Sequence, residues 1–337
     1  MTVVVKRAGM FTTVQDLGRY GYQRYGVSVS GAMDAYACAC ANILVGNPPG
    51  AATLELTVSG PVLTFTEPCV IAICGADMKP VVQEDGDTVP MWRPVYVSAR
   101  TTIAFGTAKS GVRTYIAFAG GVRAESKMGS CSTYVRAGIG GIEGRTLRDG
   151  DVLAIGAPTA LGQAMAARLG ARLSRGVAAP PWHVGWTAMP HYDPEPVVRF
   201  IPGIHYDRFA DDSLEAFTRT PYRLSPQSDR MGFRLSGARL SLKRPEEFLS
   251  EPVTLGTVQV PPDGQPIILM ADRQTTGGYP VIAQIIGADM PVVAQTPIGG
   301  SMRFVRTDVG EAERAWFRQQ EQLRMIQAAV AAYMHRA

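Results

Sequence analysis

The 337-residue chain is 46% hydrophobic with a formal charge of +4, enough apolar material for a large core and, by length, two domains. The charge is thinly spread and no run of Lys or Arg forms a basic patch, which argues against nucleic acid or anionic lipid as a partner. No apolar stretch reaches the roughly 20 residues that span a bilayer, and no long apolar segment follows the basic residues near the start, so a soluble, unexported, cytoplasmic protein is expected.

The 36 Gly and 24 Pro are scattered among short apolar runs, the punctuation of strands and turns, which predicts a mainly β chain with a few helices. After VVVKRAG at residues 3–9, TTVQDLGRYGYQRYG places Gln15, Asp16, Arg19 and Arg24 among glycines. AMDAYACACANILVG follows Ser30, a candidate N-cap, and is stopped by Gly46, Pro48 and Pro49, so it reads as a helix. Asp34 falls in its first turn, where it either favours the helix dipole or faces a ligand beside an anion-attracting N-terminus. The strands VLTF, CVIAICG, PVYVSA, TTIAFG and TYIAFAGG come next.

Between Gly129 and Arg145, GSCSTYVRAGIGGIEGR joins a hydroxyl-rich strand to a glycine turn flanked by Arg136 and Arg145. Its glycines do not follow the strand, GxGxxG and helix order of a dinucleotide site, and no GxxxxGK[ST] occurs, so Rossmann and P-loop sites are excluded. Residues 158–196 are rich in small residues and prolines without strand alternation, reading as a linker or crossover. The chain is thus divided into 1–190 and 191–337.

The second part opens with VVRFIPG at 197–203 and a helix at 207–219, with Asp211, Asp212 and Glu215 early and Leu214 and Phe217 apolar. SDRMGFRLSG offers Arg230 and Arg234; Arg230 is either a bidentate holder of a substrate carboxylate or an ordinary surface arginine. Gln259 sits in the otherwise apolar strand GTVQV, where a buried amide must pin a neighbouring loop or face a pocket. The densest polar cluster, ADRQTTGGYP from Ala271 to Pro280, follows the strand PIILM. It brings Asp272, Arg273, Gln274, Thr275, Thr276 and Tyr279 around Gly277 and Gly278, which let a backbone approach a ligand closely. Such a loop can bind an anion: arginine and hydroxyls donate, and Asp272 orients the arginine or takes a proton. A final helix at 310–335 keeps Trp316, Leu323, Ile326, Val330 and Met334 on one face, predicted to pack on the second half.

Three matches recur in the same order with unequal spacing: VVVKRAG with VVRFIPG, SGPVLTF from Ser59 with SGARLSL from Ser236, and GADM at Gly75 and Gly287. Collinear matches of this kind predict two diverged copies of one β-rich unit. The five cysteines form no CxxC pair, and His183, His191, His205 and His335 have no partner at metal-ligand spacing, so no metal site is expected on these residues.

At these motifs the chain resembles one family from about Val3 to about Phe304, carried by TTVQDLGR, GVSVSGAMD, YIAFAGGV, GSCSTYVRAGIGG, SPQSDRMGFRLSG and above all TVQVPPDGQPIILMADRQTTGGYP. It is similar to the family of KipA, the C subunit of 5-oxoprolinase and allophanate hydrolase subunit 2, a biotin-dependent carboxyltransferase-like family related to the carboxyltransferase part of urea carboxylase. The resemblance implies two cyclophilin-like β-barrel units in tandem plus a C-terminal helix. It also implies an ATP-dependent enzyme complex with Mg²⁺ that opens 5-oxoproline to glutamate. The partners would be a KipI-like protein, the B subunit of 5-oxoprolinase, and a lactam-utilisation protein, its A subunit; these bind ATP wholly or in part. In that setting Asp272, Arg273, Thr275 and Thr276 are the expected catalytic residues, Asp272 as proton acceptor or cation ligand. Arg230, Gln259, Gln274, Tyr279, Asp34 and Arg136 are the expected substrate-binding residues. The alternatives are a carboxyltransferase or allophanate-processing role in urea metabolism, and a non-catalytic antagonist of a KipI-like regulator. PIGGSMRF from Pro297 departs from the family at a turn, and no AMKM-like biotin attachment sequence is present, so covalent biotin is not expected on this chain.

Overall fold

The computed structural model describes residues 1–335, and the side chain of His335, with the expectation attached to it, lies outside the described residues. Two compact units emerge, the first holding Met1–Arg19, Asp34–Pro190 and the chain from Glu321 onward, the second Tyr20–Met33 and His191–Gln320. The sequence predicts one break between 190 and 191. Residues 20–33 and the end of the chain instead join the other unit, because each is tied there by contacts given below.

The first unit carries β1 (Thr2–Arg7), β2 (Phe11–Gln15), α1 (Ala35–Leu44), β3 (Thr53–Thr57), β4 (Val62–Phe65), β5 (Cys69–Gly75) and β6 (Val81–Val82). It continues with β7 (Pro94–Val97), β8 (Thr102–Ala104), β9 (Arg113–Phe118), β10 (Val152–Ala154), α2 (Ala160–Gly170) and β11 (Val177–Ala178). The strands form a five-stranded sheet ordered β10-β1-β4-β8-β6 and a six-stranded sheet ordered β11-β7-β5-β9-β3-β2. Alternation puts Val3, Val5, Leu63, Phe65 and Ile103 of one sheet and Leu54, Leu56, Ile71, Ile73, Ile116 and Phe118 of the other into one apolar core. Burying each such side chain contributes about 1.5–3 kcal/mol.

Helix α1 is capped by Asp34, whose Oδ1 accepts from the Ala37 amide at 2.9 Å. Ser30, the residue the sequence suggests, has φ +60° and stands outside the helix. The segment read as a linker contains α2, capped by Thr159 Oγ1 accepting from the Gly162 amide at 3.1 Å. Its alanines favour a helix even without a strong apolar stripe.

The second unit carries β12 (Val197–Pro202), α3 (Asp211–Arg219), β13 (Tyr222–Leu224), β14 (Gly232–Ser236), β15 (Glu251–Pro252), β16 (Thr257–Gln259) and β17 (Ile267–Leu269). Next come β18 (Thr276–Gly277), β19 (Val281–Ile285), α4 (Met290–Ala294), β20 (Ser301–Arg306) and α5 (Val309–His335). Seven strands close into a barrel ordered β12-β19-β16-β17-β14-β13-β20, sealed by parallel pairing of β12 with β20. Phe200, Phe217, Tyr222 and Phe304 fill its interior as a ring cluster, Phe217 and Phe304 stacked 4.6 Å apart. The mainly β class with a few helices is therefore observed, with a closed barrel in the second unit and two sheets around one core in the first.

Of the collinear matches, VVVKRAG and VVRFIPG contain β1 and β12. SGPVLTF contains β4, but SGARLSL starts at the last residue of β14, paired with Arg223, and beyond it makes a bridge between Leu242 and Phe209. Helix α5 begins in the second unit, yet its last turns pack on the first: Arg168 Nη1 donates to the Tyr333 carbonyl, and the Tyr333 ring meets Trp182 edge-on at 5.2 Å. Trp316, expected inward, is 46% exposed. No helix among the described residues is long and apolar enough to cross a membrane.

Candidate functional site

Strand β17 delivers Met270, Ala271, Asp272 and Arg273 into the interior of the second unit, where the last two are 5% and 8% exposed. The Asp272 carboxylate is fully engaged. Arg230 grips it through Nε to Oδ2 at 2.9 Å and Nη2 to Oδ1 at 3.2 Å, and the Ser30 hydroxyl donates to Oδ1 at 2.5 Å. Arg230 Nη2 also donates to the Gly31 carbonyl at 2.6 Å. Residues 28–31 thus form a strap across the 271–273 turn: the Ser30 amide donates to Ala271 O at 3.0 Å and Ser28 Oγ to Arg273 O at 2.8 Å. These bonds explain why this stretch, distant in sequence, belongs with the barrel.

Asp272, expected as a proton acceptor or cation ligand, stands in a buried ion pair, and Arg230, expected either to hold a substrate carboxylate or to be an ordinary surface arginine, is buried against Asp272 and Gly31. Arg273 is different: its Nη1 donates to Met270 O at 3.3 Å, its Nε has no partner, and no carboxylate pairs with it among the described residues. Burial lowers its pKa below the ordinary arginine value, partly offset by Tyr20.

Beyond Arg273 the chain turns through Gln274 and Thr275, both half-buried, to the exposed Thr276 and Tyr279. Pairing of β18 with β15 holds this loop, the Val253 amide donating to Thr275 O at 3.0 Å. The Thr275 and Thr276 hydroxyls make no hydrogen bond within the described residues. Gln259 is 2% exposed beside a register shift between β16 and β19. Its Nε2 reaches Tyr279 O at 3.4 Å, and a Cβ at Gly277 would overlap it. Gln259 thus contacts the neighbouring loop, the first of the two roles left open for it. Gly278, Tyr279 and Pro280 in turn edge a cavity of about 670 Å³ with Phe209, Phe248 and Pro261 on its walls.

The sequence-predicted residues fall in both units. Asp272, Arg273 and Arg230 meet at one point, and Gln259, Gln274, Thr275, Thr276 and Tyr279 line the loop beside it. Asp34 and Arg136 lie in the first unit. Asp34 is wholly buried as the cap of α1, its amide donating to Tyr115 Oη at 2.8 Å. Arg136 stands exposed on a single 3-10 turn, Val135–Ala137.

Ser28 and Ser30 were missed as site residues; the signal was Ser30 beside Gly31, read as a helix cap. In the first unit, the Asp16 carboxylate accepts from Ser130 Oγ at 2.7 Å, Ser132 Oγ at 2.5 Å and the Cys131 amide at 2.6 Å, stitching the hydroxyl-rich segment to β2. Glu55 accepts from the Tyr115 hydroxyl at 2.6 Å in the same unit, and burial with the Glu55 charge raises that phenol's pKa well above its usual value. A glutamate inside the apolar run ATLELTV was the visible sign.

A family model described as "Carboxyltransferase domain, subdomain A and B" matches residues 25–306. The chain is 41% identical over 310 residues to the C subunit of 5-oxoprolinase from Escherichia coli (strain K12), covering 92% of each chain. It is 38% identical over 302 residues to the protein of the same name from Haemophilus influenzae, covering 90% of each. Among solved structures it is similar to the urea amidolyase of K. lactis, with a TM-score of 0.85 and 27% identity over 96% of this chain and 20% of that one.

Proposed function

Because the chain belongs to the family of carboxyltransferase domains, subdomain A and B, we propose that it is one part of an ATP-dependent complex that opens 5-oxoproline to L-glutamate. One observation carries this reading: 41% identity to a 5-oxoprolinase C subunit across 92% of both chains. Both relatives are named as subunits, which supports action within an assembly. We take its other members to be the KipI-like protein and the lactam-utilisation protein, in the cytoplasm.

A lactam resists opening until its amide oxygen is activated, and phosphorylation from ATP makes that carbon a better electrophile. The hydroxyls of Thr275 and Thr276 are donors suited to the charge that develops on such a substrate, with Gln274 and Tyr279 beside them and the buried Arg273 as a cation for its anionic group. The residues present do not fit a Mg²⁺ site on this chain. Both Asp272 oxygens are taken, and no group of three or more His, Cys, Asp or Glu able to hold a metal occurs among the described residues. We take ATP and its Mg²⁺ to be bound wholly or mainly by the partner subunits.

The similarity to urea amidolyase supports a second reading, carboxyl transfer with biotin carried on another chain. Purification of the chain with its co-expressed partners separates the two. Phosphate and glutamate formed only when 5-oxoproline is added are the expected result. Phosphate release indifferent to 5-oxoproline but dependent on urea and a biotinylated carrier would replace the first reading with the second.

A further inference from the structure

Two arginines meet at the 272–273 turn, and only one of them is neutralised. Arg230 has the Asp272 carboxylate in a two-point contact, and Ser30 occupies the remaining approach to Oδ1. Arg273 is 8% exposed, has one long bond to a carbonyl and leaves Nε without a partner. A buried cation without an anion is unfavourable in the free protein. Such an arrangement persists where it is used, and a guanidinium presents a planar fork that matches a carboxylate. The bonds around Arg273 restrain its backbone and leave its head with one long bond: Ser28 Oγ holds its carbonyl, and its amide donates to Met270 O at 3.2 Å.

We propose that Arg273 anchors the carboxylate of the lactam substrate, and that Asp272, Arg230, Ser28 and Ser30 are positioning residues that hold it in place. This rests on the reading that the complex acts on 5-oxoproline. It moves the carboxylate contact from Arg230 to Arg273 and takes Asp272 out of proton transfer. An oxyanion that offers two oxygens to a guanidinium also describes a nucleotide phosphate, and the test separates the two.

The complex of this chain with its partner subunits is assayed with 5-oxoproline and with 2-pyrrolidinone, the same ring without the carboxylate. For Arg273→Gln, kcat/KM for 5-oxoproline falls about 10- to 100-fold, the size of a lost charge-assisted bond. The loss lies mainly in KM, while 2-pyrrolidinone turnover and KM for ATP stay within a few-fold. Arg273→Lys, which keeps the charge without the fork, retains part of the preference. The Tm of free Arg273→Gln is not lowered, since an uncompensated buried charge has been removed, and 5-oxoproline raises the Tm of wild type but not of Arg273→Gln. Equal losses for both lactams, or a rise in KM for ATP with the lactam preference intact, would overturn the proposal. If the wild-type complex opens no 5-oxoproline, the functional reading fails. The Tm comparison then decides the anchor alone: a ligand-induced shift that survives in Arg273→Gln sinks it.

Discussion

Asp272 and Arg230 show side chains of 7% and 9% exposure in a two-point contact, so removing one partner strands the other. Asp272→Ala is expected to destabilise the second unit by about 3–5 kcal/mol, the usual consequence of leaving a buried charge uncompensated. The double variant Asp272→Leu with Arg230→Met should lose less than the two single variants combined, because the residues share one interaction. Urea unfolding of wild type, Asp272→Ala, Asp272→Leu, Arg230→Met and the double variant checks this, and additive losses would mean that the pair is not coupled. The sequence pointed to ADRQTTGGYP and to Arg230 through residue chemistry alone. It could not say which arginine pairs with Asp272. Asp272 and Arg273 both lie in the turn after β17, where Arg273, adjacent in sequence, donates to Met270 O, whereas Arg230, 42 positions away, pairs with Asp272.

At the scale of elements, glycine placement sets what the strands tolerate. Gly75 ends β5 at φ +95°, and a Cβ there would overlap the Arg113 carbonyl oxygen on the paired strand β9. Gly86 has a similar φ of +76° in a turn with nothing within 4 Å. Gly86→Ala should therefore cost only the backbone strain, about 1–2 kcal/mol. Gly75→Ala must also push β9 away from β5, and its Tm should fall at least twice as far; equal shifts would show that the sheet yields freely. Strands were legible because apolar alternation reports burial directly, and α1 was legible from its alanines and the glycine and prolines that stop it. Its cap was not: Ser30 and Asp34 are both good capping residues, and only Asp34 reaches an amide of the helix. Helix α2 was hidden because the prolines at the far end of its segment dominated the composition.

For the whole molecule, the grouping of residues 20–33 and of the chain from Glu321 left no mark in composition, since discontinuous units are made by contacts and not by local sequence. What composition does carry is the thiol inventory, and its reactivity follows from the fold. Cys38, Cys40, Cys69 and Cys74 are buried, and Cys131 is half-buried. Burial pushes Cys38 and Cys69 up to about 12, raises Cys74 well above its usual value, and together with the Asp16 charge raises Cys131. Thiolate is the reactive form, so a raised pKa leaves little of it near neutrality, and buried sulfur is shielded from reagent as well. A chromogenic aryl disulfide added at pH 8 should find a single slow equivalent in the native chain, lost in Cys131→Ser, and all five after unfolding in urea. Two or more rapid equivalents in the native protein would mean that the sheets covering these cysteines open readily in solution.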